Sequence, residues 1–293
     1  MKIAVVGSIN IDYTAYVENL PQEGETILAA SLEKSFGGKG ANQAIAAKRL
    51  GGEVYMIGAV GNDPIGQAMK DNLESQGVDV SGVKVVAGVS GTAFINVSNR
   101  GKNNIIVCPG ANYSLTPEDI EVNRHIIENC DVVLLQLEIP METVEKAILL
   151  AKKSGRKVIL NPAPVKKIPE YIYKYIDIIT PNESELKELT NLTDHVEGIN
   201  LLLEKGVEKA IVTLGDKGCI YMHNTTVEHF DAYSIPSVDS TAAGDTFNGA
   251  LAVKIDRPIS EAISLARVSA ALTVTKKGAQ DSIPTLEETK KFL

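Results

Sequence analysis

The residues best suited to chemistry lie in one stretch, Asp239-Ser240-Thr241-Ala242-Ala243-Gly244-Asp245-Thr246-Phe247-Asn248-Gly249-Ala250. Small residues occupy a turn where an apolar, alanine-rich helix is expected to begin. A helix N-terminus carries unpaired N–H groups and partial positive charge, so it holds an anion without any side chain. Ala242, Ala243 and Gly244 are small enough to let a phosphate approach those N–H groups. Asp245, in the same turn, would repel a phosphate. A carboxylate beside an anion hole makes sense if it takes the proton from a hydroxyl that then attacks phosphorus.

Four other segments carry candidate ligand groups. Phe36-Gly37-Gly38-Lys39-Gly40-Ala41-Asn42-Gln43 is a glycine-rich turn entering a helix. It is not a Walker loop, which would need Gly at Glu33 and Ser or Thr at Gly40. Either its glycines admit a polar small molecule with Lys39 and Asn42 as donors, or it is a tight strand–helix connection with a solvated lysine. Gly7-Ser8-Ile9-Asn10-Ile11-Asp12 lacks the third glycine of a dinucleotide fingerprint and opens no helix. Asn10 and Asp12 point to one face of an extended chain, where an amide and a carboxylate suit vicinal sugar hydroxyls. Ordinary turn chemistry is the alternative. Gln136-Leu137-Glu138 ends a very apolar strand, which puts Glu138 at the carboxyl edge of a sheet, as a ligand group or as a helix-initiating carboxylate. Asn182 and Glu185 have capping-box spacing, with a hold on magnesium-bound water as the competing role.

The elements that must position these groups alternate. Strand-like runs at 2–6, 54–59, 132–137, 157–160, 176–180 and 210–214 are separated by helical periodicity at 41–50, 65–76, 117–128, 141–154, 183–189 and 197–205. The expectation is a mainly parallel sheet covered by helices on both faces, with ligands outside the carboxyl ends of the strands. Runs at 13–17, 26–32, 92–97 and 104–108 have no helix to pack on and form a separate small sheet, a lid whose apolar face needs a cover. The expected division is a main domain of 1–12, 37–90 and 112–293 with a lid of 13–36 and 91–111. A further hairpin is expected within 219–233.

Bulk properties narrow the function. The net charge of −8 argues against a nucleic-acid partner. The apolar stretch at the N-terminus is too short for a signal-peptide core, and no run reaches the ~18 residues that span a bilayer, so no membrane partner is expected. Cys108, Cys130 and Cys219 form no metal or redox spacing, which reads as a reducing cytoplasm, and the four histidines do not cluster.

Taken together, the segments resemble the ribokinases of the phosphofructokinase-B-like carbohydrate kinase family, over nearly the whole chain from Gly7 to Ser282. The combination of Gly37-Gly38-Lys39-Gly40-Ala41-Asn42-Gln43 with residues 239–249 carries that resemblance. It implies a ribokinase-like three-layer α/β fold with a β-sheet lid, and transfer of the ATP γ-phosphoryl group to O5 of D-ribose. It further implies Asp245 as base, with an anion hole of the Ala242, Ala243 and Gly244 N–H groups. The matching sugar positions are Asn10, Asp12, Gly38, Lys39, Asn42 and Glu138. Asn182 and Glu185 match an element that works with Mg2+ and phosphate, and Thr213, Gly215 and Gly218 match a nucleotide loop, with Gly244 beside it. A K+ site would use the side chains of Asp239 and Ser282 and the carbonyls of Thr241, Val274, Lys277 and Ala279. The resemblance also implies a homodimer clasped through the lid. Ala242 stands where many relatives have Gly. Arg267, on the helix bordering the expected adenine pocket, would stack on the base or point to solvent. Lys39 and the Asn10/Asp12 pair favour a fully hydroxylated sugar over 2-deoxyribose, another pentose or a nucleoside. A non-catalytic sugar-binding protein on the same scaffold is the remaining alternative.

Overall fold

The computed structural model describes all 293 residues. Strand β1 (Lys2–Val6) leads into β2 (Asn10–Val17) and β3 (Ser31–Gly37). Helix α1 (Lys39–Arg49), β4 (Glu53–Gly61), α2 (Pro64–Ser75) and β5 (Asp79–Val86) follow. The hairpin of β6 (Gly91–Ser98) and β7 (Asn103–Cys108) returns through a 3₁₀ turn (Gly110–Ser114). Next are α3 (Pro117–Val122), α4 (Arg124–Asn129), β8 (Val132–Leu135), α5 (Met141–Lys153) and β9 (Lys157–Leu160). Then come β10 (Ile178–Ile179), α6 (Glu183–Thr190), α7 (His195–Glu204), β11 (Lys209–Thr213), β12 (Cys219–His223) and β13 (Thr226–Phe230). Helices α8 (Ala243–Val253), α9 (Ile259–Thr273) and α10 (Leu286–Lys290) complete the chain.

Nine strands form one sheet in the order β13-β12-β11-β10-β9-β8-β1-β4-β5. All neighbours from β11 to β5 are parallel, and the β12–β13 hairpin adds the antiparallel edge. Burial on both faces explains the continuous apolar strands. Along β1, Ile3 and Val5 pack with α1, α2, α8 and α9, while Ala4 and Val6 face the layer containing α5 and α7. The chain leaves β1 toward β4 on one side and later places β8 on the other. That switch point opens a crevice at the carboxyl ends of β1 and β8.

The small sheet has the order β3-β2-β6-β7. The second of the four expected runs differs from expectation. Residues 26–32 alternate in polarity, yet pairing runs from Tyr16↔Ser31 to Asn10↔Gly37, so the strand is displaced to Ser31–Gly37. Because β2 starts at Asn10, its partner must extend back to Gly37, and Leu28 is left almost fully exposed. The boundaries drawn at 12/13 and 36/37 therefore fall inside β2 and at the last residue of β3. Three further differences are local. The helix expected at 117–128 breaks at Asn123 into α3 and α4. The strand expected at 132–137 stops at Leu135, and β5 adds an edge strand that the periodicity did not single out.

Candidate active site

The floor of the site is built at the β1/β8 crevice. The Ser8 hydroxyl donates to Glu138 Oε2 at 2.5 Å and accepts from the Gly40 N–H at 3.3 Å. The same Glu138 oxygen accepts the Lys39 N–H at 3.2 Å, so this carboxylate caps α1. The following helix, α5, begins at Pro140 without help from Glu138. Gly38, the residue before α1, has φ +89°, and a Cβ there would lie 2.6 Å from the Asn10 nitrogen. Only glycine lets the lid strand and the helix start so close together.

Helix α1 then crosses α8. Gly249 makes this possible, since a Cβ there would meet Ala46 Cβ at 2.6 Å and the backbone of α1 at 2.8 Å. One turn back from that contact, Asp245 is buried against α1. Its Oδ2 accepts from Asn42 Nδ2 at 2.9 Å, and its Oδ1 accepts from Gln43 Nε2 at 3.0 Å. Gln43 also donates to Asn161 Oδ1 at 3.1 Å and accepts from Gln136 Nε2 at 2.6 Å. Asn161 donates to the Thr180 carbonyl, the Thr180 hydroxyl donates to Asn248 Oδ1, and Asn248 Nδ2 donates to the Gly244 carbonyl. This buried chain runs from the candidate base, under the carboxyl ends of β8, β9 and β10, to the first turn of α8.

The lid wall brings Asn10 and Asp12 over the same cavity. No protein donor reaches the Asp12 carboxylate, although it is only 9% exposed. Burial, then the charges of Glu138 and Asp245, push it up to about 7, with Lys39 acting in the opposite direction. For Lys39 burial acts to lower the ammonium, but Asp245, Glu138, Glu185 and Asp12 outweigh it and hold it above its ordinary value. Lys39 is therefore a retained cation within a ring of four carboxylates.

At the opposite wall, α8 starts at Ala242, which has φ +62°, and no side chain caps it. The N–H groups of Ala242, Gly244 and Asp245 have no acceptor in the chain, whereas Ala243 N–H reaches the Ser240 carbonyl at 3.3 Å. Space in front of Gly244 is open. Asn182 and Glu185 form the capping box that their spacing suggests, with each side chain bonded to the other residue's N–H. Burial holds Glu185 above the ordinary carboxylate range, with the Asn182 N–H and Lys39 opposing. Thr213 lies beside this cap, its N–H donating to the Pro181 carbonyl at 3.0 Å, and the turn from Gly215 to Gly218 follows it.

The loop before α8 is tied to the segment after α9. Asp239 Oδ1 accepts from the N–H and hydroxyl of Thr241, and Oδ2 accepts from Gly278 N–H at 3.0 Å. Burial works to raise Asp239, but these bonds and Lys277 outweigh it and hold it below the usual range. The Val274 carbonyl accepts two N–H groups, from Val238 and Asp239, and the Ala279 carbonyl accepts the N–H and hydroxyl of Ser282. Arg267 is half-buried and lines an open surface pocket together with His229, Phe230 and Tyr233. Its guanidinium lies 5.8 Å from the Phe230 ring centroid, and its Nε is buried without a partner.

The structure thus gathers Asn10, Asp12, Gly38, Lys39, Asn42, Glu138 and Asp245 at the crevice beyond β1 and β8, with the α8 N-terminus, Asn182, Glu185 and the Thr213–Gly218 turn beside it. Sequence reasoning passed over Ser8, Gln43, Asn112, Gln136 and Asn161. A usable signal existed for Gln136 and Asn161, each a polar residue following an apolar strand at its carboxyl end.

With this geometry in place, the comparisons with known proteins are direct. The family model described as pfkB family carbohydrate kinase matches residues 1–286. The ribokinase of Haemophilus influenzae is 39% identical, covering 99% of this chain and 98% of that protein. The deoxyribokinase of Salmonella typhi is 38% identical over 100% of this chain and 99% of its own length. The solved structure of Arabidopsis thaliana ribokinase, complexed with ribose and ATP, superposes with a TM-score of 0.92 at 33% identity, covering 99% of this chain and 97% of that one. The chain belongs to the pfkB family of carbohydrate kinases. Its three-layer α/β fold with a small-sheet lid is that of the ribokinase structures.

Proposed function

We propose that this chain is an ATP-dependent ribokinase, transferring the γ-phosphoryl group to the O5 hydroxyl of D-ribose to give ribose 5-phosphate and ADP. The observation that carries the reading is the α1–α8 crossing. It seats the Asn42 amide 2.9 Å from the Asp245 carboxylate, within the first turn of an uncapped helix. Asn10, Asp12, Gly38, Lys39, Asn42 and Glu138 hold the sugar, and Asp245 accepts the proton of its O5 hydroxyl. The N–H groups of Ala242, Ala243 and Gly244 stabilise charge on the transferring group. Ala243 would give up its long bond to Ser240 in doing so. Thr213, Gly215 and Gly218 line the nucleotide.

The capping box occupies the Asn182 oxygen and both Glu185 carboxylate oxygens, so these residues suit an Mg2+ ion held through water. Such an ion neutralises phosphate charge. For K+, the Asp239 carboxylate, the Ser282 hydroxyl and the Thr241 and Lys277 carbonyls keep lone pairs for a hard cation. The Val274 and Ala279 carbonyls already accept two bonds each and fit less well. Exposed apolar residues on the lid (Leu32, Phe94 and Ile106) support a homodimer clasped through that sheet. Three free thiols suit a reducing cytoplasm. No helix is long and apolar enough to cross a membrane.

Coupled turnover of ribose and ATP with Mg2+ and K+ tests the reading, and absence of ADP formation refutes it. One observation favours a second acceptor: the Salmonella typhi deoxyribokinase matches this chain almost as well as the Haemophilus ribokinase, 38% against 39%. Competition between ribose and 2-deoxyribose decides between the two sugars.

A further inference from the structure

We infer that Asn112, which lies outside the ligand-facing set, fixes the polarity of the sugar site by locking Asn10 with its amide NH₂ turned toward the ligand. The inference rests on the sugar-kinase reading above. A backbone N–H can only donate. The Ile9 backbone N–H donates to Asn112 Oδ1 at 2.9 Å. With its oxygen so committed, Asn112 must present Nδ2 to the other side. That nitrogen donates to the Ile9 carbonyl at 3.3 Å and to Asn10 Oδ1 at 2.7 Å. The oxygen of Asn10 is thereby consumed, and its Nδ2 meets no protein acceptor. Both side chains are almost wholly buried, at 1% and 3% exposure, so neither amide can turn over without leaving a polar atom unpaired.

The position of Asn112 gives this lock a second consequence. Asn10 is the first residue of the chain entering the lid, and Asn112 lies in the 3₁₀ turn by which the chain leaves it. The amide pair therefore sets the sugar-facing donor at the junction that carries the lid. Across the cavity the same reasoning applies to Asn42. Its Nδ2 is committed to the Asp245 carboxylate, so its Oδ1 faces away, buried and without a partner. The site offers a donor at Asn10 and an acceptor at Asp12. A sugar hydroxyl between Asn10 and Asp12 would accept from the first and donate to the second. Asn112 touches no ligand; it is a positioning residue.

The variant Asn112→Asp keeps an acceptor for the Ile9 N–H but sets a carboxylate oxygen against Asn10 Oδ1. Asn10 then turns over and shows the sugar an acceptor where a donor is needed. The variant Asn10→Asp produces the same change of polarity without touching Asn112. In ribose turnover with ATP, each variant is expected to raise KM roughly tenfold, about 1.4 kcal/mol, with kcat within about threefold. In an Asn10→Ala background, adding Asn112→Asp should change KM less than about twofold, because the residue it acts through is gone. A KM increase of equal size in that background would assign Asn112 to the hinge alone and overturn the inference. Wild-type KM in Asn10→Asp would overturn it as well, and that variant stands even if Asn112→Asp fails to fold. Failure of the underlying reading is distinguishable, because wild type itself would then turn over no pentose.

Discussion

Replacing Asp12 by Asn should stabilise the sugar-free protein above neutral pH while weakening its hold on the sugar. Burial, with Glu138 and Asp245, pushes the Asp12 carboxyl up to about 7 from 3.8. Between those values the folded protein keeps a proton that the unfolded chain has released. Stability therefore falls as pH rises from about 4 to about 7 and stays at the lower level above. The gap, 7 − 3.8, is about 3 pH units, which at about 1.36 kcal/mol each sets a ceiling of roughly 4 kcal/mol. Solvent in the open cleft screens part of it, leaving about 1–3 kcal/mol, or roughly 2–6 °C in Tm for a chain of this size. Asn has the same shape and no charge to desolvate, so thermal unfolding without sugar should show Asp12→Asn melting above wild type at pH 8. The advantage should shrink by more than half at pH 5. A variant no more stable than wild type at pH 8, or an advantage independent of pH, would refute the reasoning. Because sugar hydroxyls donate to the ionised form, ribose affinity of the wild type should rise with pH up to about 7.

Three further outcomes are expected. Asp245→Asn should lower kcat by ~10²–10⁴-fold with ribose KM changed only a few-fold, read from initial rates. Gln43→Leu should strand Asp245 Oδ1, Asn161 Oδ1 and Gln136 Nε2 at once, costing at least about 2 kcal/mol in urea unfolding and lowering kcat more than it raises KM. Ile106→Asp, on the exposed face of the lid, should halve the mass seen by sedimentation if the lid clasps a second copy, and a wild-type monomer at the same concentration would remove that proposal.

How much of this was legible in the sequence differs between levels. The sheet could be read because strands buried on both faces must be apolar throughout, and the hits at β1, β8, β9 and β11 follow from that. Residues 239–250 could be read as a turn entering a helix because small residues precede an alanine-rich apolar run, and α8 does begin there. The displaced β3 could not, since its register is set by where β2 begins and by the glycine junction at Gly38, both of which are matters of tertiary contact. Edge strand β5, half exposed and interrupted by Gly82, had too mixed a pattern to stand out. Gln43 and Asn112 were illegible for a related reason. Their roles depend on partners some 200 and 100 positions away, Asp245 and Asn10, and no local spacing encodes those pairs.

Where polar groups lack partners also argues for the site. Buried side-chain atoms without a hydrogen bond are confined to Asn42 Oδ1, Gln136 Oε1, Arg156 Nε and Arg267 Nε. Such atoms cost about 1–3 kcal/mol each, so a fold keeps few of them without a use. Asn42 Oδ1 is the one that belongs to a residue bonded to Asp245. Around it stand Asp12 with no donor, Asn10 Nδ2 with no acceptor, and Lys39 with no carboxylate within 4 Å of its ammonium. On the ribokinase reading, pentose hydroxyls would partner Asp12, Asn10 and Lys39. On that reading, hydroxyls donating to Asp12 would offset its desolvation cost. Ligand-linked stabilisation should therefore be largest at pH 8, where the empty site costs the fold most.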